Sequence, residues 1–215
     1  MLFLQKIPLF SKPKLSELAV RGTNTSTAST VTCPSGVQVG DFIVLFQRSS
    51  NAGSFPSNAT PSGFTSEIYI DNVTNVIIKM DVKIADGTEG GTSIIGMNGS
   101  STNYKAIMVF YGNAPITGYS SLSEASALGN SNPSAQVCTS GSGSPPIVMV
   151  ACYSGGSAVS PRTFTGATED AEITPSTNFY AKYKIFNSSP VNVTVDMDDE
   201  GNDNGLLSAY FQFTS

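Results

Sequence analysis

The sequence predicts an all-β fold built from two similar antiparallel units in tandem, with an extended arm ahead of them. Three observations predict it. Charged residues make up 13% of the chain, and Ser, Thr, Asn and 20 Gly stand where the Lys and Glu of long helices would be. Short runs rich in Val, Ile, Phe, Tyr and Thr recur between Gly, Pro, Asn and Ser. The second half repeats the order and spacing of the first, the signature of an internal duplication.

The first 18 residues read as the arm. Phe3, Leu4, Ile7, Leu9 and Phe10 are apolar, but Pro8 and Pro13 interrupt any ladder or helix they could join. Such a segment packs as extended chain. It either folds back on its own unit or grips a neighbouring subunit, and these five residues are the candidate partner contacts. Lys6, Pro8, Lys12 and Pro13 break the apolar run, and no small-residue cleavage site follows it, so no secretion signal is expected.

A first series of strands is expected over 29–33, 41–47, 67–70, 76–84, 92–97 and 106–111. The second is expected over 135–138, 147–153, 171–173, 179–186, 191–197 and 206–213. Residues 112–134 are small and polar and contain Pro115 and Pro133. They read as a loop or linker with one helical turn at 122–128. The division is therefore an arm over 1–18, one unit over 19–113, a linker over 114–134 and a second unit over 135–215.

The two series overlay. Cys33 and Cys138 are 105 positions apart, as are Phe42 and Ile147, so the expected overlay there has no gap. Pro61, Phe64 and Thr65 precede Pro161, Phe164 and Thr165 by 100 positions, as Met97 does Met197. Lys79 lies over Lys182, and Ile107 over Ala209. About six short strands per ~100 residues, with turn signals every ~8–12, fit a β-sandwich of jelly-roll or immunoglobulin-like type. In 76–84, Ile78, Met80, Val82 and Ile84 share one face, and Ile77, Lys79, Asp81 and Lys83 the other. The runs 42–46 and 147–153 are apolar on both faces. They are expected to be covered on both sides, by the opposing sheet and by the other unit or a partner.

The chemistry available is narrow. The chain lacks His, which removes Ser-His-Asp and Cys-His nucleophilic sites and most zinc sites. Its three Cys are odd in number and without C-x-x-C spacing, and they read as buried, reduced core residues. A glycosidase needs two acids across one cleft, for which Glu67, Asp71, Asp81, Asp86 and Glu89 qualify by type alone. The acidic stretch 196–204 loosely resembles a calcium loop, but Leu207 stands where an EF-hand frame needs Glu, and a solvated hairpin turn explains it. No phosphate-cradling or dinucleotide-binding glycine motif is present. A net charge of −5 without clustered Lys and Arg argues against nucleic-acid binding, and no segment approaches the ~20 apolar residues of a membrane helix. The expectation is a soluble protein with no enzymatic activity and no cofactor.

The run V-G-D-F-I-V-L-F, then P-S-G-F-T, then VIIKMDVKIADG, then a strand ending in a V-F-Y-G turn, is followed by S-P-P-I-V-M-V-A-C and a second P-x-x-F-T. This pattern resembles the two-repeat β-sandwich structural proteins of tailed bacteriophage virions, over roughly residues 19–213. Phe64 and Phe164 stand where that family often has Trp. The resemblance implies a virion location after synthesis in the host cytoplasm. It implies a virion component such as a capsid decoration protein, a head fibre or a tail-associated protein. The expected role is capsid decoration or cement, with a tail- or fibre-associated adhesin for host glycan as the alternative. Major capsid protein or tail and fibre proteins would be its partners, and it would be present in several copies or as a homo-oligomer. On the adhesin reading, Asn51, Tyr69, Tyr119 and Tyr153 are the candidate glycan contacts.

Overall fold

The computed structural model describes residues 13–50, 59–72, 76–99, 102–128, 136–139, 144–155, 164–165, 168, 170–188, 194–197 and 203–215. The strands are β1 (Leu18–Ser26), β2 (Thr30–Thr32), β3 (Phe42–Ser50), β4 (Thr65–Asn72), β5 (Val76–Ile84), β6 (Ser93–Ile95) and β7 (Thr102–Gly112). They continue as β8 (Gly118–Leu128), β9 (Gln136–Thr139), β10 (Ile147–Gly155), β11 (Phe164–Thr165), β12 (Ala171–Ser176), β13 (Phe179–Phe186), β14 (Thr194–Met197) and β15 (Asp203–Thr214). No helix occurs among the described residues, and none is therefore long and apolar enough to cross a membrane. The chain is all-β, as expected, and its strand pairs are antiparallel. The arm residues Phe3, Leu4, Ile7, Leu9 and Phe10 lie outside the described residues, as do residues 198–202 of the acidic stretch.

Two five-stranded sheets dominate. The first has the order β1-β7-β3-β5-β4 and the second β12-β13-β10-β15-β8. Their facing surfaces share one apolar core, which holds Phe42, Val44, Phe46, Ile78, Met80, Met108 and Phe110 of the first sheet. Val148, Val150, Cys152, Ala181, Tyr183, Leu207 and Phe211 of the second complete it. Ring contacts cross the seam. Phe42 meets Phe213 with centroids 4.8 Å apart, Phe110 meets Tyr183 at 5.3 Å, and Tyr104 meets Phe179 at 6.4 Å. β1 lies against β12, and β4 against β8.

Side-chain alternation sends the other half of each central strand outward. In the first sheet, Ile43, Leu45, Ile107 and Val109 join Val31, Cys33, Val37 and Ile94 in a second core. This core lies beneath the two-stranded β2-β6 sheet. β3 is thus buried on both faces, which is why 42–46 carries no polar residue. β10 is likewise buried throughout 147–154, and a three-stranded sheet, β11-β14-β9, completes the chain.

Three expectations are corrected. Residues 112–134, expected as a loop or linker with a helical turn, instead carry β8, which pairs with β15 from Gly118 to Leu128. The Leu, Glu and Ala of this stretch are good helix formers, but local propensity is a weak force, and ladder hydrogen bonds along a sheet edge override it. The gap-free overlay of Phe42 on Ile147 also fails: Phe42 points into the shared core, whereas Val148, not Ile147, does so from β10. The overlay of Ile107 on Ala209 fails in the same way, since Ile107 points outward and Ala209 inward. A one-residue slip flips every side chain to the opposite face, so neither register survives.

Gly40 fixes the approach to β3. Its φ is +84°, and a Cβ there would lie 2.7 Å from Cβ of Pro115. Only glycine combines that backbone conformation with such closeness. The contact lets Gly40 accept a hydrogen bond from the Ile116 amide at 3.0 Å, seating the crossover between the sheets.

Candidate functional site

Two polar constellations stand out in the first half. One is buried. On the outward face of β5, Lys79 and Asp81 are almost wholly inaccessible, with Nζ 3.0 Å from Oδ1. Gln47 of β3 donates from Nε2 to Asp81 Oδ2 at 2.6 Å and accepts the Met97 amide at 2.8 Å. Lys79 also donates to the Thr60 hydroxyl. Lys105 of β7 is paired with Gln47 in register and donates to the carbonyls of Ala28 and Met97 at 3.0 and 2.8 Å. Gly96 presses its backbone onto this group: a Cβ there would overlap Gln47 Oε1. Burial pushes the Asp81 carboxyl up, against the pull of Lys79 and the hydrogen bond from Gln47. Desolvation therefore outweighs attraction, and the pair organises the space behind β6 without being a net source of stability.

Lys105 has two neutral acceptors, and burial lowers its pKa to about 8. The unfolded chain holds that proton up to the ordinary value of 10.5. Between these values the unfolded state binds more protons, so Lys105 makes the fold more stable as pH rises from about 8 to 10.5. At ~1.4 kcal/mol per pKa unit the gain is about 3 kcal/mol. Urea denaturation across that range should show the rise, and Lys105→Met should remove it. An unchanged slope in the variant assigns the titration to another group.

The second constellation is open to solvent. A groove of about 520 Å³ lies between the 61–65 turn, the end of β5 and the loop leading into β6. Phe64 and Ile95 are among its apolar lining, and Ile95 is 70% exposed. Lys83, Asp86 and Glu89 form its charged side: Lys83 Nζ is 3.1 Å from Asp86 Oδ2 and 2.5 Å from Glu89 Oε1. The loop builds these positions itself. Glu89 accepts the amides of Asp86 and Gly87, and Asp86 accepts both the amide and the hydroxyl of Thr88. The Thr88 hydroxyl foremost, then Lys83, holds the Asp86 carboxyl down at about 2. Burial opposes ionisation of Glu89, but the Lys83 ammonium and the Asp86 amide outweigh it and keep its pKa below the usual range. Neither acid is a proton donor near neutral pH, which is what glycoside hydrolysis asks of one member of a pair.

Of the acids expected by type, only Asp86 and Glu89 meet in this groove. Asp81 is enclosed with Lys79, and Glu67 accepts the Tyr119 hydroxyl at 2.5 Å. The Asp71 side chain lies outside the described residues. Among the tyrosines, Tyr69 is 42% exposed. Tyr119 is wedged against Phe42 and Phe211, and Tyr153 is buried and stacked on Tyr180 at 5.1 Å, so neither presents a face to a glycan. Asn51 lies outside the described residues. Cys33 and Cys152 are buried free thiols. Burial raises Cys33 to about 11 and Cys152 well above its ordinary value, so neither is a nucleophile at neutral pH. The Cys138 side chain lies outside the described residues. Among the described residues, no cluster of His, Cys, Asp and Glu is arranged to hold a metal. The buried Lys79–Asp81 pair escaped the sequence reading, although two charges on one face of an otherwise apolar strand were its visible signal.

No protein-family model, no curated protein and no solved structure matches this chain.

Proposed function

We propose that this chain is a structural protein of a bacteriophage virion, a capsid decoration or cement protein built from two copies of one β-sandwich unit, acting by binding and not by catalysis. The observation that carries the reading is the agreement in strand order. The first large sheet runs β1-β7-β3-β5-β4, and the second, taken from its other edge, runs β8-β15-β10-β13-β12. Each strand thus has a counterpart at the same place in its half. The short sheets add to this, with β2 and β6 neighbours in one and β9 and β14 neighbours in the other. Inward residues correspond once the register is corrected: Val44 with Val148, Phe46 with Val150, Ala106 with Ala209, and Phe110 with Phe213. Lys79 and Lys182 correspond on the outward side, both nearly inaccessible and both ion-paired.

A doubled rigid unit suits a protein that bridges neighbouring subunits of a shell. Its gain would come from apolar surface buried across subunit boundaries, which stabilises the assembled state by mass action. The resemblance to two-repeat virion proteins points the same way and makes the major capsid protein the expected partner, with several copies per particle. Mass spectrometry of purified virions of the phage carrying this gene should find the chain in stoichiometric amounts. Its absence from particles would overturn the proposal.

A second reading, a tail- or fibre-associated adhesin for host-surface glycan, is favoured by the open groove at Asp86 and Ile95. Cryo-electron microscopy of the intact particle separates the two: density on the shell supports decoration, and density on the tail supports adhesion.

A further inference from the structure

We propose that the groove between the 61–65 turn and the loop from Asp86 to Ile95 is a binding site for a neutral oligosaccharide. The inference deepens the adhesin reading by naming its ligand. It holds equally for a decoration protein that meets glycan at the capsid surface.

The groove's chemistry selects the ligand in three steps. The first is which hydrogen bonds remain to be made. The Thr88 hydroxyl proton is committed to Asp86 Oδ1 at 2.6 Å, and that of Thr92 to the Glu89 carbonyl at 2.7 Å. What both hydroxyls still offer is lone pairs. Asp86 remains ionised across the whole physiological range, its side chain 59% exposed and able to accept further. Lys83 points its ammonium at two carboxylates. The hydroxyls of Ser62 and Ser93 also line the groove and can donate as well as accept, so acceptors outnumber donors and a ligand rich in hydroxyl donors is favoured.

The second step is charge. Lys83 against Asp86 and Glu89 leaves the groove with a net negative charge, which disfavours sulfated, phosphorylated or sialylated ligands. A divalent cation would also seek acceptors, but the Lys83 ammonium already occupies the position between the two carboxylates.

The third step is shape. The lining mixes these polar groups with apolar surface, from the half-buried Phe64 and the exposed Ile95. A pyranose ring matches this mixture, with a face of C–H groups for the apolar side chains and hydroxyls at its rim for the acceptors. The volume of about 520 Å³ falls within the ordinary range of small-ligand sites and suits two or three sugar units.

The test uses the full chain and saturation-transfer NMR with cellotriose, maltotriose, mannotriose and chitotriose at millimolar concentration, and with sialyllactose as the anionic comparison. At least one neutral trisaccharide should receive transfer, and sialyllactose should not. Asp86→Ala and Ile95→Ser should each weaken binding about tenfold or more. Ile95 is exposed, so its replacement leaves the core intact and the test stands even if the Asp86 variant disturbs its loop. Tyr111→Ala, at an exposed ring outside the groove, should leave binding unchanged. Three results would overturn the assignment: no transfer to any neutral saccharide, a preference for sialyllactose, or binding that survives both groove substitutions. Finding the chain in virions bears on the structural role alone, so the two proposals fail separately.

Discussion

Asp81→Ala is expected to lower the free energy of unfolding by about 3–5 kcal/mol, because it leaves the Lys79 ammonium buried without its counter-charge. Lys79 Nζ keeps the Thr60 hydroxyl, a neutral acceptor that cannot replace a carboxylate 3.0 Å away. Gln47 also loses the acceptor of its 2.6 Å hydrogen bond, and its other bond holds the Met97 backbone, next to Gly96. The opposite result is expected when both charges go. Lys79→Met with Asp81→Leu removes two desolvation costs at once, and such replacements are commonly neutral or stabilising by ~1–4 kcal/mol. Urea denaturation reads both: the midpoint should fall in the single variant with little change in slope, and recover in the double one. A single variant within about 1 kcal/mol of the parent would mean that the pair is solvated, contrary to the burial described.

Phe42→Ala should cost about as much, roughly 3–5 kcal/mol, for a different reason. The ring is fully buried at the end of β3 and meets three others across the seam between the sheets: Tyr119 at 5.1 Å, Phe211 at 5.2 Å and Phe213 at 4.8 Å. Its removal leaves a cavity lined by rings that backbone ladders hold in place, so collapse is limited. In a chain of this length such a loss corresponds to a fall of roughly 10 °C in melting temperature. Phe42→Leu should recover more than half of the loss, since most of the volume returns. Calorimetry showing a shift below about 2 °C for the alanine variant would place the ring at a surface.

These two positions show what was legible in the sequence. The ranges of β5 and β13 were readable to the residue, because period-two alternation and β-branched or aromatic content agree there. The double-sided burial of β3 was readable because a strand with no polar residue over 42–46 has no face to give to water. β1 and β8 were not readable. Each is an edge strand, held by its ladder to β7 or β15, and their sequences LAVRGTNTS and GYSSLSEASAL carry too few strand formers to signal it. Their pairing is decided by distant partners, which no local pattern contains. Register was misread for a related reason. The overlay rested on spacing alone, and a slip of one residue inverts inside and outside while leaving the strand sequences unchanged. The groove was half legible. Asp86 and Glu89 were candidates by type, but only the loop's own hydrogen bonds bring both to Lys83.

The account depends on the two large sheets facing each other through one core. The most direct test is a set of nuclear Overhauser effects in the intact chain, between the rings of Phe42 and Phe213, Phe110 and Tyr183, and Tyr104 and Phe179, whose centroids lie 4.8, 5.3 and 6.4 Å apart. All three should be observed, alongside the cross-strand effects within each sheet. A folded chain that gives the within-sheet effects and none of these three would contradict the arrangement.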